Sequence, residues 1–153
     1  MMQILLYQGR SLVSKAIRKQ TDSIYSHAAV RMRDGSITEA WQGVGVRQMK
    51  TVMDGHTPGT PVDVFHIEGD YDEEAVEKFL LAQIGKKYDY LSVARFITRW
   101  ERPNNDKWFC SELVVAAFRK GGLDLLNGPA AKMSPRDLGI CPLLSKITTL
   151  GAH

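Results

Sequence analysis

Apolar residues in this chain change their spacing several times, and each change predicts an element. Residues 3–7 form a short apolar run, a strand or the entry to one. Over residues 11–20, Leu12, Val13, Ala16 and Ile17 take helical spacing behind Ser11, a candidate N-cap. Residues 26–32 read as a strand, Asp34-Gly35 as a turn and residues 36–41 as the returning strand. The glycine-rich stretch Gly43-Val44-Gly45-Val46 reads as a continuation of that strand and leads into residues 47–53. Residues 58–61 form a loop and 61–67 a further strand. Residues 72–84 predict a helix, with Asp72, Glu73 and Glu74 in its first turn, where the helix dipole favours acids. Val76, Phe79, Leu80 and Ile84 supply its apolar face, and Gly85 ends it. Helical spacing returns over residues 88–102 and again over 110–120, where Gly121-Gly122 terminates it; residues 103–106 form a turn between the two. A last strand is expected near residues 147–150. Strands with interspersed helices, no internal repeat and no linker predict one α+β domain spanning residues 1–153.

Composition narrows the function classes. Hydrophobic residues make up 44% and charged residues 24%, a globular balance rather than a disordered one. The net charge is +3, from 20 basic and 17 acidic residues that are scattered along the chain, so a nucleic-acid partner is not indicated. The tightest basic patch, Arg10, Lys15, Arg18 and Lys19, reads as a solvated helix face. Gln3, Gln8, Arg10 and Lys15 interrupt the N-terminal region, and no stretch is long enough for a membrane span. A cytoplasmic chain without stable membrane insertion is the expectation. Two cysteines are too few for a disulfide framework, and no metal-ligand spacing or cofactor motif is present.

Candidate chemistry starts at Cys110. It opens an apolar helix whose buried stripe is Leu113, Val114, Ala117 and Phe118. A thiol there meets the positive end of the helix dipole and unpaired backbone N–H groups, which favour thiolate and can also hold an oxyanion. A buried cysteine packed as a small hydrophobe is the equal alternative on position alone. Cys141, before Pro142 and outside any helix start, reads as structural.

A base is available in His27, which opens a strand and is followed by small residues. His56 lies in a loop, His66 alternates within a strand and His153 ends the chain. A lone strand histidine is more often structural, and Glu39 alters that balance for His27. A two-residue turn at Asp34-Gly35 would put His27 and Glu39 on opposite faces, because side chains alternate. A three-residue loop, Arg33-Asp34-Gly35, pairs Ala29 with Glu39 and makes His27 its diagonal neighbour on one face. The carboxylate could then orient one imidazole nitrogen and leave the other for a thiol. The sequence leaves the loop length open.

The segments Ser26-His27-Ala28-Ala29-Val30, Ile37-Thr38-Glu39-Ala40 and Phe109-Cys110-Ser111-Glu112-Leu113-Val114, in that order, resemble the YiiX/YebB-like proteins. These are circularly permuted members of the NlpC-type papain-like superfamily, related to the lecithin–retinol acyltransferase group. The resemblance covers residues 7–144. It implies a permuted papain-like fold, an antiparallel sheet packed on helices, with Cys110 as nucleophile, His27 as base and Glu39 as the orienting group. Gly85-Lys86-Lys87-Tyr88-Asp89-Tyr90 is similar to a family element in which the residue at Tyr88 helps form the oxyanion hole. Ser134-Pro135-Arg136-Asp137-Leu138 is similar to a structural tail segment.

Three functions are compatible with these residues. The first is a thiol hydrolase, an amidase or peptidase forming an acyl-thioester on peptide or wall-type amides. The second is a lipid acyltransferase or lipase using the same triad, with Trp41, Phe96, Trp100 and Trp108 lining an apolar groove. The third is a non-catalytic binding domain.

Overall fold

A computed structural model describes residues 1–90 and 107–151; the predicted helix over 88–102 and turn over 103–106 lie largely outside these, as do Phe96, Trp100 and His153. The strands are β1 (Gln3–Tyr7), β2 (His27–Arg31), β3 (Ile37–Trp41), β4 (Gly45–Met49), β5 (Val62–Ile67), β6 (Lys87–Tyr88), β7 (Lys107–Trp108) and β8 (Leu144–Leu150). The described helices are α1 (Leu12–Thr21), α2 (Glu73–Gln83), α3 (Cys110–Lys120) and α4 (Pro135–Gly139), with a short 3₁₀ turn at Ala130–Lys132. Six strands form an antiparallel sheet in the order β4-β3-β2-β1-β5-β8, and β6 pairs with β7 in parallel. The architecture is mixed, an antiparallel sheet with helices, as expected. No helix among the described residues is long and apolar enough to cross a membrane.

Both faces of the sheet are covered. Ile4 and Leu6 of β1, Ala28 and Val30 of β2, Ala40 and Val46 share one core with Cys110, Leu113 and Val114 of α3. Leu5 and Tyr7, Ala29, Ile37 and Met49 pack with Val62 and Val64 on the opposite face. A strand buried on both sides needs no polar alternation, which is why residues 4–7 read as an unbroken apolar run.

The β2–β3 hairpin takes the three-residue loop. Val30 pairs with Thr38 and Arg31 with Ile37. The Met32 N–H donates to the Ser36 carbonyl at 2.7 Å, which encloses Arg33-Asp34-Gly35, with Gly35 at φ 87°. Continued along the strands, this register sets Ala29 opposite Glu39, so His27 and Glu39 share a face.

Several sequence expectations are corrected. The glycine-rich stretch does not continue β3. Gln42, Gly43 and Val44 reverse the chain, the Val44 N–H donating to the Trp41 carbonyl, and β4 returns antiparallel. Asp72 is the N-cap of α2, not part of its first turn, and accepts from the Ala75 N–H. Ile84 leaves the apolar face because it caps the helix C-terminus, and it is 42% exposed. Tyr88 sits in β6, where pairing with Trp108 replaces helical structure. The Ser-Pro-x-Asp-Leu segment is an N-terminal capping box: Ser134 and Asp137 each take the other's backbone N–H, and Pro135 occupies the first turn.

Gly45 adopts φ 101°, and a Cβ there would overlap the Lys86 carbonyl, which accepts from the Val46 N–H at 2.8 Å. Gly45→Ala should lower stability by about 2–3 kcal/mol, through backbone strain and displacement of β6. An unchanged denaturation midpoint would contradict this packing.

Candidate active site

Helix α3 begins at Cys110. Its N-cap, Phe109, offers no side-chain hydrogen bond, so the first-turn N–H groups have no side-chain cap. Cys110 is buried, and the backbone N–H groups of Ala28 and Ser111 act to lower its thiol pKa. The Ala28 N–H belongs to the peptide that directly follows His27. Helix and strand therefore pack together at Cys110 and Ala28.

His27 projects on the face of Tyr7, away from the face on which α3 packs. Its ring lies edge-on to Trp41, 4.9 Å between centroids, and to Tyr7 at 5.2 Å. His27 Nε2 hydrogen-bonds Glu39 Oε2. Among the described residues, the sulfur makes no hydrogen bond to the imidazole, and Nδ1 has no partner. The single unpartnered polar side-chain atom fully enclosed there is Thr38 Oγ1.

Glu39 gathers more donors than the sequence reading foresaw. Arg47, directly opposite on β4, sends Nη2 to Oε1 at 2.8 Å and Nε at 3.1 Å. His56 Nε2 lies 3.0 Å from Oε2 and 3.1 Å from Oε1. His56 is stacked on Tyr7 at 4.2 Å, and Arg47 is tied to the Asp54 carbonyl at 2.8 Å. Gly55 leaves room for the guanidinium, since a Cβ there would crowd Arg47. The Gly55-His56 loop carried no periodic signal, so His56 and Arg47 were missed. The alternation of β3 and β4 pointed to Arg47 only once their pairing was known.

The electrostatics follow from this cluster. Burial alone would raise the Glu39 carboxyl, but the facing His27 and the hydrogen bonds from His27 and His56 hold it well below the ordinary carboxylate range. An ionised carboxylate only accepts, so both histidines present Nε2–H to it, and the lone pair of neutral His27 is on Nδ1. Burial lowers the His27 pKa and outweighs the raising effect of Glu39. The expected thiolate at Cys110 is corrected. Burial pushes the thiol up to about 12, against the lowering by the Ala28 and Ser111 N–H groups. Desolvation of the charged form exceeds what one helix terminus supplies.

Tyr88 packs edge-on to Phe109, 5.9 Å between centroids. Burial raises its phenol, and a charge on Cys110 raises it further, so the hydroxyl stays protonated. An open cleft of about 260 Å³ adjoins it, lined by Gly43, Val44, Gly45, Lys87, Tyr90 and Lys107. The groove proposed for lipid is not assembled by the described tryptophans. Trp41 packs at His27 and His56, whereas Trp108 packs on Phe79 and donates to Gln83. Cys141 is buried, its thiol directed at the Leu125 carbonyl, 3.0 Å away.

No protein-family model and no curated protein matches this chain. Among solved structures, it is similar to the crystal structure of the metalloprotein YiiX from Escherichia coli O157:H7, a member of a domain family of unknown function. The TM-score is 0.73 at 20% identity, over 95% of this chain and 94% of that one. What the two chains share is the fold: an antiparallel sheet packed by helices, in a YiiX-like arrangement.

Proposed function

We propose that this chain is a one-domain thiol hydrolase of circularly permuted papain-like (NlpC-type) fold, acting on amides or esters. The observation that carries the reading is that Cys110, at the start of α3, packs on β2 with Ala28, while His27, the preceding residue of β2, is bonded to Glu39. That bond runs through His27 Nε2, and the imidazole and the sulfur must close on each other when substrate binds. Thiol and imidazole are both neutral at rest, so proton transfer accompanies attack. Cys110 Sγ bonds to the substrate carbonyl carbon while its proton passes to His27 Nδ1. Catalytic hydrogen bonds left open in a free enzyme commonly tighten on substrate binding. The first-turn N–H groups of α3, with the Tyr88 hydroxyl, take the oxyanion. Collapse expels the amine or alcohol with the proton from His27, and water then cleaves the thioester. Glu39 keeps the base in its productive tautomer. Peptide or wall-type amides are the substrate class that the sequence resemblance favours.

The reading is tested by intact-mass measurement during turnover of activated esters and peptide esters. One acyl group should appear, released by hydroxylamine and mapped to Cys110. An adduct at Cys141, or none across the panel, would contradict it. Preference for long acyl chains would favour the acyltransferase alternative.

A second reading, metal binding, also has an observation behind it. One ligand atom each from His27, Glu39 and His56 lie within 4.8 Å of one another, and the structural neighbour is described as a metalloprotein.

A further inference from the structure

We propose that the buried His27–Glu39–His56 cluster takes a zinc-class divalent ion, and that filling it withholds His27 as a base. The site follows from the side chains themselves. Two imidazoles and one carboxylate suit zinc, cobalt or nickel better than calcium or magnesium. Bonds of about 2.0–2.1 Å place tetrahedral ligand atoms roughly 3.3 Å apart. The His56 Nε2–Glu39 Oε2 separation is 3.0 Å and the three ligand atoms lie within 4.8 Å of one another, so the rings adjust around the ion to reach these distances. All three side chains are at least nine-tenths buried. Arg47 holds Oε1 and leaves Oε2 directed at the two rings. The same guanidinium opposes a dication, which keeps the affinity modest.

The consequence for His27 is a matter of proton placement. With Glu39 as its partner, the ring carries its proton on Nε2 and its lone pair on Nδ1. An ion bound at Nε2 needs the lone pair there, and the single proton of the neutral ring moves to Nδ1. Nδ1–H cannot accept the Cys110 proton. Ion binding and thiol activation therefore use one ring in two exclusive tautomers. This inhibition rests on the thiol-hydrolase reading; ion binding itself does not.

The test uses the whole ¹⁵N-labelled chain, purified with chelator and titrated with zinc chloride. Calorimetry should report one ion per chain, and long-range imidazole spectra should show His27 and His56 passing from Nε2–H to Nδ1–H. Acylation of Cys110 should fall in step with zinc occupancy, stop at saturation and return with chelator. His56→Gln should weaken zinc at least about tenfold, whereas Cys110→Ser should bind as the parent does. The ring spectra of the parent chain need no variant to fold. Unchanged ring tautomers, loss of binding in Cys110→Ser, or undiminished acylation of the zinc-loaded chain would each overturn the proposal. A chain that is never acylated, with or without zinc, would instead remove the thiol reading and the inhibition with it. The ring spectra would still decide whether the ion binds.

Discussion

Cys110→Ser should lose at least about 10⁴-fold in kcat/KM on any ester or peptide that acylates the parent chain. That loss corresponds to about 5.5 kcal/mol of barrier. The serine oxygen is the weaker nucleophile, and the buried imidazole is matched to a thiol proton. The shape of the site should survive, because serine is close in size to the buried cysteine it replaces. Cooperative unfolding should persist, and activity and stability therefore separate. Cys141→Ser should show the reverse pattern, turnover retained with some loss of stability at the Leu125 contact. Equal turnover by Cys110→Ser and the parent would remove Cys110 as the nucleophile.

Glu39→Gln should give the largest loss of stability, about 3 kcal/mol or more. Glu39 is 1% exposed and anchors Arg47, His27 and His56 at once. Removing one partner of a buried ionic cluster strands the others. The pH dependence follows from the two shifts. The folded-state pKa of Glu39 is depressed, so its contribution is fully present above the unfolded value of about 4.3 and is lost as pH falls towards the folded one. His27 is also depressed, by burial, so below about 6.5 the unfolded chain binds the proton first. In both cases the unfolded state holds more protons, and stability rises with pH. The parent should weaken from about pH 6.5 downward and more steeply below about 4.5. Glu39→Gln should keep the upper arm and show a shallower lower one, since Asp63 is also held below its ordinary value. Chemical denaturation across that range checks both, and a variant within about 1 kcal/mol of the parent at pH 7 would contradict the anchoring role.

The elements most legible in the sequence were those with local causes. Apolar spacing and Gly121-Gly122 gave α3 its observed limits, and Asp34-Gly35 admitted the loop that puts His27 and Glu39 on one face. What escaped depended on tertiary surroundings. His56 comes from a loop with no period, and its approach to Glu39 required the chain after β4 to fold back over Tyr7. The acidity of Cys110 was misjudged for the same reason. A helix terminus is visible in sequence, whereas the packing that desolvates the sulfur is not. Trp108 looked like a groove residue until Phe79 and Gln83 were found against it.

Pairing of base and sulfur is tested most directly by the rate of Cys110 alkylation by iodoacetamide as a function of pH, located by peptide mass, in the parent and in His27→Gln. In the parent, the rate should level off once the imidazole is neutral, far below the alkaline range where an unassisted buried thiol ionises. His27→Gln should be slower at pH 7 by about 10²-fold or more, with a rate still climbing into alkali. Matching profiles in the two proteins would show that the imidazole does not receive the thiol proton.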